Sequence, residues 1–223
     1  RSVTYRSTSD DPTVANTRNS RTVTWLVTDA NSDSVGAQIS AGVTSTINIA
    51  AVNDATVMVA GANRAYTEGV SATAISSGLT LSDVDDTAIA SGATVSITAG
   101  LTSGDVLSIA SGSLLGGATA SYNSGTGVLT FTGSTTVSNY QSMLRAVSFS
   151  STSEDPTSQS TTRTVTYSVT DANASAASNS AQTTTATSTV TITALPMEEG
   201  RVAVTVADEG PGVSPEQAAR IFD

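Results

Sequence analysis

Apolar and polar residues alternate along most of this chain with a period of two, the signature of strands that bury one face and wet the other. Runs near residues 56–60, 78–83, 93–99, 105–109, 118–122, 127–132, 145–150, 163–171 and 187–193 follow that rule, and clusters of Gly, Asn, Asp and Ser punctuate them. Short alternating strands between such turns predict an all-β, antiparallel sandwich. Asn123-Ser-Gly-Thr-Gly127 reads as a hairpin, because its glycines admit the positive φ of tight turns. One stretch breaks the alternation. Val137, Tyr140, Met143 and Leu144 recur at helical spacing, which predicts a short helix over residues 136–144 behind a Thr135 cap.

The pattern also repeats at long range. Arg1-Ser-Val-Thr-Tyr-Arg-Ser-Thr-Ser-Asp-Asp-Pro-Thr13 returns as Arg145-Ala-Val-Ser-Phe-Ser-Ser-Thr-Ser-Glu-Asp-Pro-Thr157. Arg21-Thr-Val-Thr-Trp-Leu-Val-Thr-Asp-Ala-Asn31 returns as Arg163-Thr-Val-Thr-Tyr-Ser-Val-Thr-Asp-Ala-Asn173, and Thr44-Ser-Thr-Ile-Asn-Ile49 as Thr187-Ser-Thr-Val-Thr-Ile192. The period, roughly 140 residues, is that of a whole domain rather than a solenoid unit. Residues 1–54 therefore read as the back of one repeat, 55–194 as a complete second repeat, and 195–223 as a different tail. The paired aromatics Trp25/Tyr167 and Tyr5/Phe149 are expected in the cores. Residues 1–54 supply only about three strands, too few to close a sandwich, so their apolar face is expected either to find another partner, for which the edge of the complete repeat is a candidate, or to stay disordered.

Composition removes most catalytic chemistries. The 223 residues contain no Cys and no His, and all nine basic residues are Arg. Thiol, imidazole and Schiff-base catalysis, disulfides and Cys/His metal sites are thereby excluded. The net charge of −10 repels nucleic-acid backbones and anionic membranes and suits cations. Ser and Thr make up roughly a third of the chain, a bias shared with disordered stalks, yet the sustained alternation argues for folded strands. No apolar run reaches the roughly 18 residues of a membrane helix. The opening at Arg1 in mid-strand suggests an internal piece of something longer.

The acids fall in predicted loops. Asp83, Asp85 and Asp86 follow the second strand of the complete repeat, Asp171 follows its penultimate strand, and both loops belong at the end where the chain enters. Asn53 and Asp54 form the linker between repeats. Asp10-Asp11, like their equivalents Glu154-Asp155, belong at the opposite end, where the chain leaves. The expected meeting point thus gathers Asp10 or Asp11, Asn53, Asp54, Asp83, Asp85 and Asp171. Such acids repel one another unless neutralised, and calcium, which takes six to eight oxygens, suits them better than magnesium or zinc. The competing reading is that they are ordinary turn-forming residues.

Several segments together resemble the cadherin-like tandem repeats of very large bacterial surface and secreted adhesins. They are Val52-Asn-Asp-Ala55, Tyr66-Thr-Glu-Gly69, Leu79-Thr-Leu-Ser-Asp-Val-Asp85, Asp105-Val-Leu-Ser108, Ser121-Tyr-Asn-Ser-Gly-Thr-Gly-Val-Leu-Thr130 and Asn139-Tyr-Gln-Ser-Met-Leu-Arg145. The resemblance implies an Ig/cadherin-like sandwich, an extracellular location, and calcium ligation at Glu68, Asp83, Asp85, Asn53 and Asp54. It also implies that the neighbouring repeats and a cell-surface or matrix ligand are the partners, while the charge and the short apolar runs lead us to expect no nucleic acid and no membrane insertion. The second repeat ends in Ala194-Leu-Pro196 rather than Asn-Asp, so Glu68 and Asp155 have no linker site of that kind after them.

The tail differs. Glu199 to Asp223 resembles the strand, Asp-x-Gly-x-Gly loop and helix start of a sensor histidine kinase ATP-binding domain, which implies nucleotide contacts at Asp208, Gly210 and Gly212. A chain without His cannot autophosphorylate on one, and the rest of that site has no counterpart. The expectation is a structural and adhesive, calcium-stabilised module that is not an enzyme, with a kinase fragment as the alternative. A carboxylate glycosidase would need two acids facing across a cleft, whereas these lie in end loops.

Overall fold

The computed structural model describes residues 2–174 and 180–195. The chain is an all-β sandwich with a single α-helix among the described residues. Strands β1 (Ser20–Trp25) and β2 (Val43–Asn48) form a two-stranded antiparallel ribbon that pairs with no other strand among the described residues. The complete repeat continues with β3 (Val57–Val59), β4 (Arg64–Thr67), β5 (Thr73–Ala74), β6 (Thr80–Ser82), β7 (Ala88–Ile89), β8 (Ala93–Ala99) and β9 (Asp105–Ser108). It then runs through β10 (Thr119–Asn123), β11 (Val128–Thr132), β12 (Thr135–Thr136), helix α1 (Val137–Arg145), β13 (Ser148–Ser151), β14 (Thr162–Thr170) and β15 (Thr183–Thr193).

One face is a six-stranded sheet in the order β10-β11-β8-β14-β15-β4; across from it lie β5-β13-β9 and the β3-β6 pair. The Val, Ile and Tyr positions of β14 and β8 point inward and their Thr partners outward, as period-two patterning on β-branched residues requires. Val95, Leu107, Val165 and Tyr167 are fully buried, and the rings of Tyr66 and Phe149 meet edge to face across the layers at 5.0 Å. Gly100 (φ +76°) ends β8 hard against β14: a Cβ there would lie 2.1 Å from the Thr162 carbonyl oxygen, so no other residue fits.

Three differences from the expected pattern have physical causes. The helix starts one residue later, because Thr135 still pairs with Ile89 and it is the Thr136 hydroxyl that accepts the Asn139 N–H at 3.1 Å. Strand β4 lies parallel to the far edge of β15, a pairing that its four residues, with only Tyr66 buried, do not announce. Strand β15 begins at Thr183 rather than near 187, since β14 templates its small polar start from Tyr167 to Thr170.

The first repeat departs more. Trp25 and Tyr5, expected in a core, are 42% and 46% exposed, whereas Tyr167 and Phe149 are buried. The ribbon does not join the edge of the complete repeat. Two strands offer one apolar face, and among the described residues no second layer presses against it.

Candidate metal centre

Three segments converge where the chain passes from the ribbon into the sandwich. Asn53 precedes β3, the loop between β6 and β7 carries Asp83, Asp85 and Asp86, and Asp171 directly follows β14. Carboxylate oxygens of Asp83, Asp86 and Asp171 all lie within 4.8 Å of one another. Asp171 is fully buried, and Asp86 and Asn53 nearly so.

Backbone donors hold the arrangement. Asp83 Oδ1 accepts the N–H groups of Asp85 (3.1 Å) and Asp86 (2.8 Å), a local turn that folds its own loop. Asp86 reaches across to the Asp171 loop, where Oδ2 accepts the Ala172 N–H (3.0 Å) and Oδ1 the Ala174 N–H (2.8 Å). Asp171 Oδ1 accepts the Gln182 N–H and Oδ2 accepts the Asn53 side-chain amide, both at 3.0 Å. Gln182 closes the ring by donating its side-chain amide to the Asn53 carbonyl at 2.6 Å. The Asp54 N–H donates to Asp85 Oδ2 at 3.3 Å.

What these donors leave over is informative. Asp83 Oδ2 and Asp85 Oδ1 are shielded from solvent, and no N–H or hydroxyl donor reaches them. No cation neutralises the group: among the described residues the one ion pair is Arg163–Asp105, at the other end of β14, roughly 25 Å away at strand rise. Burial, followed by the hydrogen bond that only a protonated Asp85 can donate to Asp83 and by the charges of Asp83 and Asp86, pushes the Asp85 carboxyl up from 3.8 to about 6, against the lowering effect of the Asp54 N–H. Orphaned carboxylate oxygens facing like charges suit a hard, oxygen-seeking cation, so the donor set fits a metal ion of that kind.

Of the expected ligands, the structure brings together Asn53, Asp83, Asp85 and Asp171. The Asp54 side chain is exposed, and its backbone alone bonds to the cluster. Asp10 and Asp11 are not among the gathered carboxylates. Asp11 is engaged in its own turn, its oxygens accepting the N–H groups of Thr13 (3.2 Å) and Ala15 (2.8 Å), and Asp10 is exposed. Glu68 lies at the opposite end, where Oε2 accepts the Leu195 N–H at 2.9 Å beside Glu154. Sequence reasoning passed over Asp86. Its adjacency to Asp85 was the available signal, but its partners Ala172 and Ala174 lie too far along the chain to be read from spacing. The loop residues Asp208, Gly210 and Gly212 lie outside the described residues. No family model matches the chain, and no curated protein matches it either.

Proposed function

We propose that this chain is a calcium-stabilised structural and adhesive repeat of a large bacterial surface or secreted protein, a spacer with neighbouring repeats and an external ligand as partners. One observation carries the reading: the carboxylates of half-buried Asp83 and buried Asp86 and Asp171 crowd together beside oxygens of Asp83 and Asp85 that no N–H or hydroxyl donor reaches, and among the described residues no basic side chain pairs with them. Asp83, Asp85, Asp86 and Asp171 would hold the ion, with Asn53 contributing from the linker. A bound divalent cation supplies charge neutralisation and a cross-link between segments. The residues do the rest. Asn53 already ties the linker to Asp171, and Asp86 ties the β6–β7 loop to the turn after β14, so the three segments are positioned before any ion arrives. Stiffening at that point sets the direction in which the sandwich projects from the preceding chain.

Equilibrium dialysis of the full chain against calcium tests the assignment. Saturable binding is expected, and Asp83→Asn, which leaves the loop turn able to form, weakens it at least about tenfold, the equivalent of one lost charge-assisted contact. Absence of binding at millimolar calcium would remove the reading.

A further inference from the structure

The two copies of the repeat show what the first one lacks. Arg163 lies buried and is held from three sides: Nη2 donates to the Pro156 carbonyl (2.6 Å), Nη1 to the Ser160 carbonyl (2.7 Å) and Nε to Asp105 Oδ2 (2.5 Å). Arg21, its counterpart, keeps the same carbonyl cradle, with Nη2 to Pro12 at 2.7 Å and Nη1 to Arg18 at 2.9 Å. Among the described residues no carboxylate pairs with it. Further along the same strand, Val23 and Trp25 join Val3, Tyr5, Ser45 and Ile47 in lining an open apolar hollow of about 290 Å³. Their counterparts Val147, Phe149, Val165, Tyr167, Ser188 and Val190 are all buried. Residues 4–7, which match β13, form no strand, and in the complete repeat β13 is held between β5 and β9. The outer edge of β1 likewise pairs with no strand among the described residues, where β14 carries β8 with Val165 against Ile97 and Tyr167 against Val95.

We propose that this face is an acceptor for the N-terminal half of a repeat of its own kind, a polypeptide with the pattern of residues 55–144. That segment lays a β8-like strand antiparallel along β1, covers Trp25 and Tyr5 with its apolar face, and delivers a carboxylate in the place of Asp105 to Arg21. The complement is specific in shape and charge: apolar residues alternate at the register of β8, and one acid sits where a guanidinium waits with its carbonyl contacts already made. An apolar strand without the acid would bury Arg21 uncompensated.

Trp25 is the chain's single tryptophan, so its emission reports this face alone. The test places residues 55–144 ahead of residue 1 of the full chain, so that Leu144 leads into Arg1 as it leads into Arg145. The expected result is a shift of Trp25 emission to shorter wavelength and a several-fold fall in acrylamide quenching. Asp105→Asn in the added copy alone lowers the midpoint of the Trp25-reported unfolding transition. The same half supplied as a separate polypeptide to the unmodified chain gives a saturable version of the shift, which guards against misfolding of the fusion. If Trp25 stays as quenchable as in the unmodified chain in both formats, the proposal is wrong. It is also wrong if the unmodified chain already protects Trp25 and sediments as a dimer, since a second copy then covers the face.

Discussion

Residues 21–31 and 44–49 return with few changes as residues 163–173 and 187–192, yet the two copies reach opposite physical states. In the second copy Val165, Tyr167 and Val169 are buried, Arg163 is paired, and Asp171 sits among other acids; in the first, Trp25 and Val27 are exposed, Arg21 has carbonyl partners only, and Asp29 is exposed and outside the acid cluster. Local structure is nonetheless the same in both. Asp29 accepts the Gln38 N–H at 3.1 Å as Asp171 accepts that of Gln182, and Asn31 and Asn173 take the same left-handed turn at φ 49° and 46°. Hairpin, turn and guanidinium cradle are therefore written locally, whereas burial, ion pairing and the acid cluster come from the half of the repeat that residues 55–144 provide.

Mutations can set the two copies against each other. The largest difference is expected at the buried pair. Asp105→Ala strands Arg163 without its counter-ion and costs the complete repeat about 3–5 kcal/mol in denaturant unfolding, while Arg21→Ala costs under about 1 kcal/mol because no carboxylate is orphaned. Phe149→Ala is expected to cost about 3 kcal/mol or more by opening a cavity against Tyr66, while Tyr5→Ala stays within about 0.5 kcal/mol. Equal losses at Tyr5 and Phe149 would mean that the first copy's face is covered after all.

Smaller effects concern the acids. Asp171→Asn is expected to abolish any calcium-dependent rise in melting temperature, whereas Asp29→Asn, in the same Thr-Asp-Ala-Asn setting, leaves it unchanged. The pH response follows from Asp85. Its folded carboxyl titrates near 6 against 3.8 in the reference state, so without metal the folded form keeps a proton that the unfolded chain has released. This group therefore makes the metal-free module less stable as pH rises from about 4 to about 6, with little further change above. Thermal unfolding in chelator at pH 4.5 and 7 should show that fall, with Asp85→Asn flattening it.

The sequence made much of this legible. Alternation located the long strands β8, β11 and β14, helical spacing located α1, and strand direction placed Asp83 and Asp171 at one end with the Asn53 linker. The illegible features share one cause, dependence on partners distant in the chain. Asp86 matters through the backbone of the Asp171 loop, β4 exists because β15 offers an edge, and Arg163 differs from Arg21 only because Asp105 faces it. Trp25 has the pattern of a core residue and lacks the core. Periodicity reports which face wants burial, and a second layer decides whether it is buried.

Scanning calorimetry of the full chain at neutral pH, with calcium and then with excess chelator, tests the metal assignment most directly. The account predicts a higher melting temperature with calcium, reaching about 2.7 kcal/mol of added stability when the ion stands a hundredfold above its Kd, and a return to the lower value in chelator. Superimposable transitions in the two conditions would contradict it.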